Sequence, residues 1–241
     1  MIKRFTIYGE RCSGTNYLQE LIEMNFDVET TWDYGWKHFF GFNDVSNSDD
    51  TLFICIIRDP YTWLNSLYRI PHHITHTIRG DATKFLNNEV FSYDDHNESR
   101  DETKEMMNDR HIYTNERYKN IFELRYTKLN YLTVDLPTKV KHHIFIRYED
   151  LLYDFKNTMN LIKSTGLKVK ENIVFPENTK YDIKVRNQTD DKRIEKYRKN
   201  TYYPIPKKLI YMNPNFSFEK EYKIGYLPVK KNSSISLKLL F

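Results

Sequence analysis

Gly9 and Gly14 enclose a short polar turn with the composition of an anion-binding loop. Before the turn, residues 5–8 are β-branched or aromatic, and after it the apolar residues at 17–22 recur at helical spacing. The first N–H groups of a helix lack intrahelical partners, and the helix dipole adds partial positive charge there. Glycine permits the backbone conformations that aim such N–H groups at clustered oxygens. The stretch predicts a loop that binds phosphate or sulfate, with a strand-to-helix turn that binds no ligand as the alternative.

The residues that follow the loop narrow the class of ligand. The spacing from Gly9 to Gly14 matches the phosphate loop of nucleotide triphosphatases, which continues with Lys and then Ser or Thr. Here Thr15 and Asn16 follow, so the loop lacks the lysine that reaches terminal phosphates and the hydroxyl that holds magnesium. A metal-dependent triphosphatase is therefore disfavoured. Arg11 keeps a fixed positive charge within the loop.

A second anion site is predicted where the next long apolar run ends. Residues 51–57 form an unbroken, largely apolar run, which is typical of a strand covered on both faces. Arg58 follows this run directly, and Pro60 suits the first position of a helix that carries Ser66 about two turns later. Ligands of open α/β sheets bind at the carboxyl ends of the strands. Arg58 is therefore a candidate anion ligand.

Composition limits the class of protein and its partners. A chain of 241 residues with 39% hydrophobic and 29% charged residues fits a globular domain with a buried core. The net charge of +4 comes from Lys and Arg scattered among acids, which suits a small anionic ligand better than a nucleic acid. The only two cysteines, Cys12 and Cys55, make no disulfide framework. No signal region or apolar run of ~18 residues is present. We expect a cytoplasmic protein with no nucleic-acid or membrane partner.

The remaining chain alternates between strand-like and helix-like patterns. Residues 118–132 predict a helix that ends before Pro137, and residues 143–148 alternate like a strand. Asp150 can cap a further helix that ends at Gly166. Strands that alternate with helices, without a linker or repeat, predict one α/β domain with three αβα layers around a mainly parallel sheet.

Two regions carry weaker patterns. Between 71 and 118 the periodicity fades, and charged and amide residues dominate part of it, so we predict a mobile lid there. Residues 168–241 are treated as a C-terminal extension of the single domain 1–241. Within it, residues 191–197 and 205–211 are helix-like, and the last residues are either an edge strand or a tail.

Three separated segments resemble, in this order, the sulfotransferase family, whose members take sulfuryl groups from 3′-phosphoadenylyl sulfate. Residues 11–18 are similar to the 5′-phosphosulfate loop of the family. Lys37 and His38 lie where the family has a Lys and a His ahead of the next strand. Residues 58–66 resemble its 3′-phosphate motif, in which a Ser follows eight residues after an Arg. A weaker similarity at 147–151 matches a segment that supports the adenine side.

The resemblance covers roughly residues 5–155 and implies a P-loop NTPase-like fold with sulfotransferase activity. The implied co-substrate is 3′-phosphoadenylyl sulfate, used without a metal, and the acceptor is a hydroxyl or amine of a small molecule or carbohydrate. His38 is the implied base, while Lys37 or Arg11 is the implied cation at the bridging oxygen. The residues implied to bind the nucleotide are Arg11, Cys12, Ser13, Gly14, Thr15, Asn16, Arg58, Ser66 and Tyr148.

Two departures from the family pattern keep other functions open. Cys12 stands where the family usually has a catalytic Lys or Arg, so Arg11 is expected to supply the charge, with Lys37 as the alternative. Arg198, Lys199 and Asn200 match only part of a C-terminal Arg-Lys-Gly motif. The alternatives are a P-loop nucleotide or metabolite kinase, which would need magnesium and ATP, and a nucleotide-bisphosphate-binding protein with impaired catalysis.

Overall fold

In the described part of the chain, four parallel strands form a central sheet. The structure is a computed structural model and describes residues 2–94, 104–170 and 203–226. The strands are β1 (Arg4–Tyr8), β2 (Glu29–Thr30), β3 (Thr51–Ile57) and β4 (His142–Arg147), in the spatial order β2-β1-β3-β4. Because every neighbouring pair is parallel, the carboxyl ends of β1, β3 and β4 lie at one edge of the sheet.

Helices follow and connect the strands in the described ranges. Short 3-10 turns at His76–Ile78 and Met107–Asp109 and a π-helical turn at Tyr131–Asp135 join some of them. The α-helices are α1 (Thr15–Asn25), α2 (Pro60–Arg69), α3 (Ala82–Asn87), α4 (Ile121–Asn130), α5 (Leu136–Lys139), α6 (Tyr148–Tyr153), α7 (Phe155–Ser164), α8 (Lys207–Tyr211) and α9 (Phe218–Lys223).

Both faces of the sheet are covered. Successive side chains of a strand point to opposite faces, so Leu52, Ile54 and Ile56 of β3 pack with α1 and α7 on one side. Phe53 and Cys55 pack on the other side with the loop before β3 and the π-helical turn. The chain is thus an α/β protein with an all-parallel sheet and helices, as predicted, and the closer P-loop NTPase-like assignment stays a prediction.

The mobile lid predicted between 71 and 118 stays a prediction, and part of this range packs in the core. A third apolar cluster joins α2, α3, α4 and α8, and Leu86, Val90 and Tyr118 are fully buried within it. These apolar side chains are too widely spaced to give a periodic sequence pattern, yet they anchor their segments in the core. Residues 95–103 lie outside the described part of the chain.

Pro137 does not end the helical backbone, contrary to the prediction. The chain continues from α4 through the π-helical turn and α5 to Lys139. Proline lies in the first turn of α5, where its missing N–H costs little. The preceding N–H of Leu136 bonds the carbonyl of Tyr131, five residues earlier, and this wider turn accommodates the proline.

Asp150 does not cap a helix either. It lies in the first turn of α6 and binds Arg147 through two hydrogen bonds of 2.8 and 2.9 Å, which occupy its carboxylate. The predicted single helix breaks at Asp154 into α6 and α7.

The C-terminal predictions are tested only in part. The helix expected at 205–211 is α8, whereas 191–197, 198–200 and 234–241 fall outside the described residues. Within the ranges that the structure describes, no helix combines the length and the apolar character needed to cross a bilayer.

Candidate functional site

The turn between β1 and α1 is built around two glycines that no larger residue could replace without a shift. A Cβ at Gly9 would lie 2.6 Å from the carbonyl oxygen of Ile56. Gly14 has a φ of +96°, and a Cβ there would lie 2.4 Å from Cδ2 of Tyr148. Gly14 is also the N-cap of α1, so no side chain from that position covers the first N–H groups of the helix. The hydroxyl of Ser13 closes the turn by donating to the carbonyl of Glu10 at 2.5 Å.

Arg58 lies against this turn. Its Nη1 donates to the carbonyl oxygen of Cys12 at 3.1 Å, and its Nε donates to Oγ1 of Thr62 at 3.2 Å. The guanidinium carbon lies 5.0 Å from the centroid of the Tyr148 ring, which in turn packs against Gly14. The arrangement follows from the parallel sheet, since these residues come directly after β1, β3 and β4. The structure thus brings together three segments that the sequence had placed in one site.

Cys12 and Ser66 meet at the same place. Cys12 adopts a left-handed conformation with a φ of +63°, and its thiol lies 3.8 Å from the carbonyl oxygen of Ile70. Burial raises the pKa of the Cys12 thiol, although the charge of Arg58 and a hydrogen bond with Ser66 act in the opposite direction. A thiol held neutral in this way carries no charge to offer an anion.

The segment with Lys37 and His38 is bonded directly to the loop. The N–H of Gly9 donates to the carbonyl of Lys37 at 2.9 Å, and Nδ1 of His38 lies 2.7 Å from the carbonyl oxygen of Gly9. A carbonyl only accepts, so Nδ1 carries the proton and Nε2 keeps its lone pair. Burial lowers the pKa of His38 to about 3, which keeps the ring neutral. The ammonium of Lys37 donates to Oδ1 of Asn16 in the first turn of α1.

The guanidinium of Arg11 is turned away from the anion-binding side of the loop and binds other side chains. It is buried and binds Glu10 at 2.7 Å, Asp109 at 2.8 Å and the hydroxyl of Ser92 at 2.7 Å. Burial alone would lower the pKa of Arg11, but the carboxylates of Asp109 and Glu10 outweigh it and raise the pKa. The charge of Arg11 is already paired with carboxylates, so Lys37 is the better placed cation beside α1.

A buried cluster of four charged side chains, formed by Glu10, Arg11, Asp109 and Lys128, lies under the loop. Lys128 binds Oε2 of Glu10 at 2.6 Å and Oδ1 of Asp109, and it donates to the carbonyl of His38 at 2.8 Å. Two cations thus face two carboxylates. Burial would raise the pKa of Glu10, but the charges of Arg11 and Lys128 hold it at about 2.

This cluster was hard to predict from the sequence. Asp109 is 98 residues from Arg11, and Lys128 is 118 residues from Glu10. The one available signal was Glu10 itself, because a carboxylate within an anion-type loop needs cations of its own.

Two further contacts, also missed, hold the strand ends in place. The indole N–H of Trp63 donates to the carbonyl of Arg11 at 2.8 Å. Arg125 of α4 donates to the carbonyl of Arg58 at 3.1 Å and binds both carboxylate oxygens of Glu221 in α9, at 2.6 and 2.8 Å. The last described helix therefore supports the residue that follows β3.

The fold and site define an α/β protein that has, at one edge of a parallel sheet, an uncapped helix N-terminus, an arginine and a neutral histidine. Comparison with known proteins goes no further, because no family model, no curated protein and no solved structure matches this chain.

Proposed function

We propose that the chain is a sulfotransferase that moves a sulfuryl group from 3′-phosphoadenylyl sulfate to a hydroxyl or amine of a small-molecule or carbohydrate acceptor. One observation supports this most: Nη1 of Arg58 lies 3.1 Å from the carbonyl oxygen of Cys12, which joins the two predicted anion motifs. The donor carries a 5′-phosphosulfate and a separate 3′-phosphate. It therefore needs two anion sites side by side, as neighbouring parallel strand ends supply.

Each motif has the donors that its part of the nucleotide requires. The N–H groups at the start of α1, together with Thr15 and Asn16, suit the 5′-phosphosulfate. The guanidinium of Arg58 and the hydroxyl of Ser66, both next to Cys12, suit the 3′-phosphate. The ring of Tyr148 lies against both Gly14 and Arg58, so it supports the nucleotide between the two anion sites.

The transfer step uses the neutral histidine and the lysine. The acceptor oxygen attacks sulfur while the bond from sulfur to the leaving phosphate oxygen breaks. Nε2 of His38 takes the acceptor proton, because Nδ1 is committed to the carbonyl of Gly9. The ammonium of Lys37 stabilises the charge that develops on the leaving oxygen. A sulfuryl group carries less charge than a phosphoryl group. In this scheme the N–H groups at the start of α1 and the Lys37 ammonium are therefore enough to stabilise the transition state without a metal.

One observation favours a second candidate, a nucleotide-bisphosphate-binding protein with impaired catalysis. The family's loop cation is replaced by a neutral thiol at Cys12, and the charge of Arg11 is taken up by Asp109 and Glu10. This candidate predicts nucleotide binding without transfer. Appearance of transfer activity in a Cys12→Lys variant of an inactive chain would support it.

Titration calorimetry with two nucleotides tests the binding half of the proposal. Adenosine 3′,5′-bisphosphate and adenosine 5′-monophosphate differ only in the 3′-phosphate, so their affinity ratio isolates that contact. We expect Arg58→Ala to remove about 1.5–3 kcal/mol of the bisphosphate's advantage, the range for hydrogen bonds to charged groups. Arg4→Ala is the matched control, since Arg4 begins β1 at the opposite edge of the sheet.

Two results would contradict the binding proposal. Absence of bisphosphate binding at millimolar concentration would remove the assigned ligand. Equal weakening of both nucleotides by Arg58→Ala would show that this arginine only supports the loop through Cys12. The transfer half is tested by mass spectrometry of acceptor libraries incubated with isotope-labelled donor, in which a labelled sulfuryl group on any acceptor identifies the reaction.

A further inference from the structure

A pair of tryptophans lies beside the lysine of the proposed site. The rings of Trp32 and Trp36 are 4.8 Å apart between centroids and inclined by 48°, so they form a corner rather than a closed slot. The ammonium of Lys37 lies 4.8 Å from the Trp36 centroid and also donates to Asn16. Trp36 is nevertheless 43% exposed, which is high for the largest apolar side chain.

The loop that carries these rings has a fixed shape. The N–H of Gly35 donates to the carbonyl of Trp32 at 3.1 Å, and the N–H of Phe39 donates to the carbonyl of Trp36 at 2.8 Å. Gly35 has a φ of +108°, and a Cβ there would lie 3.0 Å from the carbonyl oxygen of Phe39. The side chain of Phe39 is buried, which anchors the end of the turn. Trp36 is thus exposed on a hydrogen-bonded turn, which favours a preorganised binding surface.

Hydrogen bonds join the loop that carries the tryptophans to the anion loop at Gly9. The carbonyl of Lys37 accepts from the N–H of Gly9, and His38 binds the carbonyl of Gly9. A ring that stacks on Trp36 therefore lies next to the Lys37 ammonium and the first turn of α1. In the proposed reaction this is where the sulfuryl group and its base are found.

The shape of the surface selects the kind of ring. An apolar ring with two equivalent faces, such as a phenol, gains most in a slot that covers both faces. The two indole rings are inclined by 48° and do not enclose a ring between parallel faces, which suits a ring with one apolar face and a hydroxyl-bearing rim that stays in water. A pyranose sugar has this character, since its axial C–H groups make one face apolar.

We propose that Trp32 and Trp36 form the acceptor platform of this protein and that the acceptor is a saccharide, stacked on Trp36 with a hydroxyl directed towards Lys37 and His38. This inference rests on the proposed function for the role of the ring as acceptor. Its binding component does not depend on the donor, because the platform and the anion loop can be probed by different ligands.

Tryptophan fluorescence provides a direct assay. The sequence contains three tryptophans, and Trp63 is only 1% exposed, so a surface ligand changes mainly the emission of Trp32 and Trp36. The full-length chain is titrated with methyl glucoside, methyl galactoside and N-acetylglucosamine, and separately with 4-methylphenol. We expect saturable quenching and protection from acrylamide with at least one saccharide. Trp36→Ala should weaken that binding by roughly tenfold or more, since the stacking face and its buried area are lost.

Three variants separate the platform from a structural role. Trp36→Phe keeps an aromatic face and should retain most of the affinity. Phe42→Ala removes another exposed aromatic ring from the same stretch and should change nothing. Adenosine 3′,5′-bisphosphate affinity is measured on every variant and should be equal in wild type and Trp36→Ala, because the tryptophan is not assigned to the donor site.

Distinct results overturn the two proposals. If no saccharide saturates the signal at tens of millimolar, if only 4-methylphenol does, or if Trp36→Ala binds saccharides like wild type, the platform is refuted. Loss of bisphosphate affinity in Trp36→Ala would refute it too, since the ring would then serve only to position Lys37. Saccharide binding that depends on Trp36, in a chain that does not bind the bisphosphate, would instead refute the sulfotransferase assignment and leave the platform in place.

Discussion

Replacement of Asp109 by alanine tests how far the buried charges stabilise the loop. The Asp109 side chain has no exposed surface, and its carboxylate binds Arg11, Lys128 and the hydroxyl of Ser92. In the wild-type cluster two carboxylates balance two cations. Without Asp109, Glu10 alone faces Arg11 and Lys128, so the enclosed charge changes from zero to plus one.

The expected cost is large because the remaining charges are largely buried, with Arg11 1% and Lys128 3% exposed. Removal of one partner from a buried ion pair typically destabilises by about 3–5 kcal/mol. Such a loss is a substantial part of the total, since the free energy of unfolding of a protein is about 5–15 kcal/mol. We expect Asp109→Ala to lower the free energy of unfolding by about 3–5 kcal/mol.

Urea unfolding followed by circular dichroism measures this effect. With a slope of about 2–3 kcal/mol per molar urea, the midpoint should fall by about 1–2.5 M while the slope stays unchanged. Asp33→Ala is the matched control: Asp33 binds Arg4 at the same 2.8 Å, but its side chain is 67% exposed. Exposed pairs contribute about 0–1 kcal/mol, so the control should unfold near the wild-type midpoint.

A double variant tests whether charge imbalance causes the expected loss of stability. Asp109→Ala combined with Lys128→Met removes one charge of each sign and leaves the pair of Arg11 and Glu10 at 2.7 Å. We expect it to be more stable than the sum of the two single changes predicts, because charge balance is restored. The reasoning is refuted if Asp109→Ala costs no more than Asp33→Ala, or if the two changes are simply additive.

The remaining predictions concern His38, Lys37 and Arg11. His38→Ala should lower turnover by roughly 10²–10⁴ with bisphosphate affinity kept, as expected for loss of a general base, and near-normal turnover would assign the proton to another acceptor. Because burial lowers the pKa of His38 to about 3, kcat/KM should not fall between pH 8 and pH 5, whereas an acid limb near the ordinary histidine pKa of about 6.5 would contradict the burial argument. The same shift implies that the unfolded chain binds a proton that the folded chain does not, so this histidine's contribution to the free energy of unfolding is lost as the pH falls from about 6.5 towards 3. Lys37→Met should lower turnover by roughly 10²–10³, whereas Arg11→Met should appear mainly as a lower urea midpoint; the reverse pattern would make Arg11 the catalytic cation.

The elements that local patterns specify were predictable from the sequence. The unbroken apolar run of β3, the glycine turn before α1 and the proline at the start of α2 each depend on neighbours within a few residues. The position of Arg58 beside the loop also followed, because parallel strands deliver their carboxyl ends to one edge. Topology alone was enough for that contact.

Features that depend on long-range partners were not predictable. A lysine in a helix is predicted to be exposed unless its ion-pair partners are known. The partners of Lys128 come from the loop after β1 and from the turn at Met107–Asp109. The sequence predicts that Pro137 ends the helix. The helical backbone instead accommodates this proline through a π-helical turn that no sequence rule indicates. The buried apolar residues between 71 and 118 were hidden by the charged residues between them.

The choice between Arg11 and Lys37 shows why this distinction matters for function. By sequence position Arg11 is the natural loop cation, since it is adjacent to Cys12. Its partners, the adjacent Glu10 and the distant Asp109, pair with its charge and direct its guanidinium into the core. Lys37 is 21 residues from Asn16 in sequence, yet the bond between Gly9 and the Lys37 carbonyl brings its ammonium to the first turn of α1. A cation already held between two buried carboxylates gains little from a new negative charge, so electrostatics favour the more distant lysine.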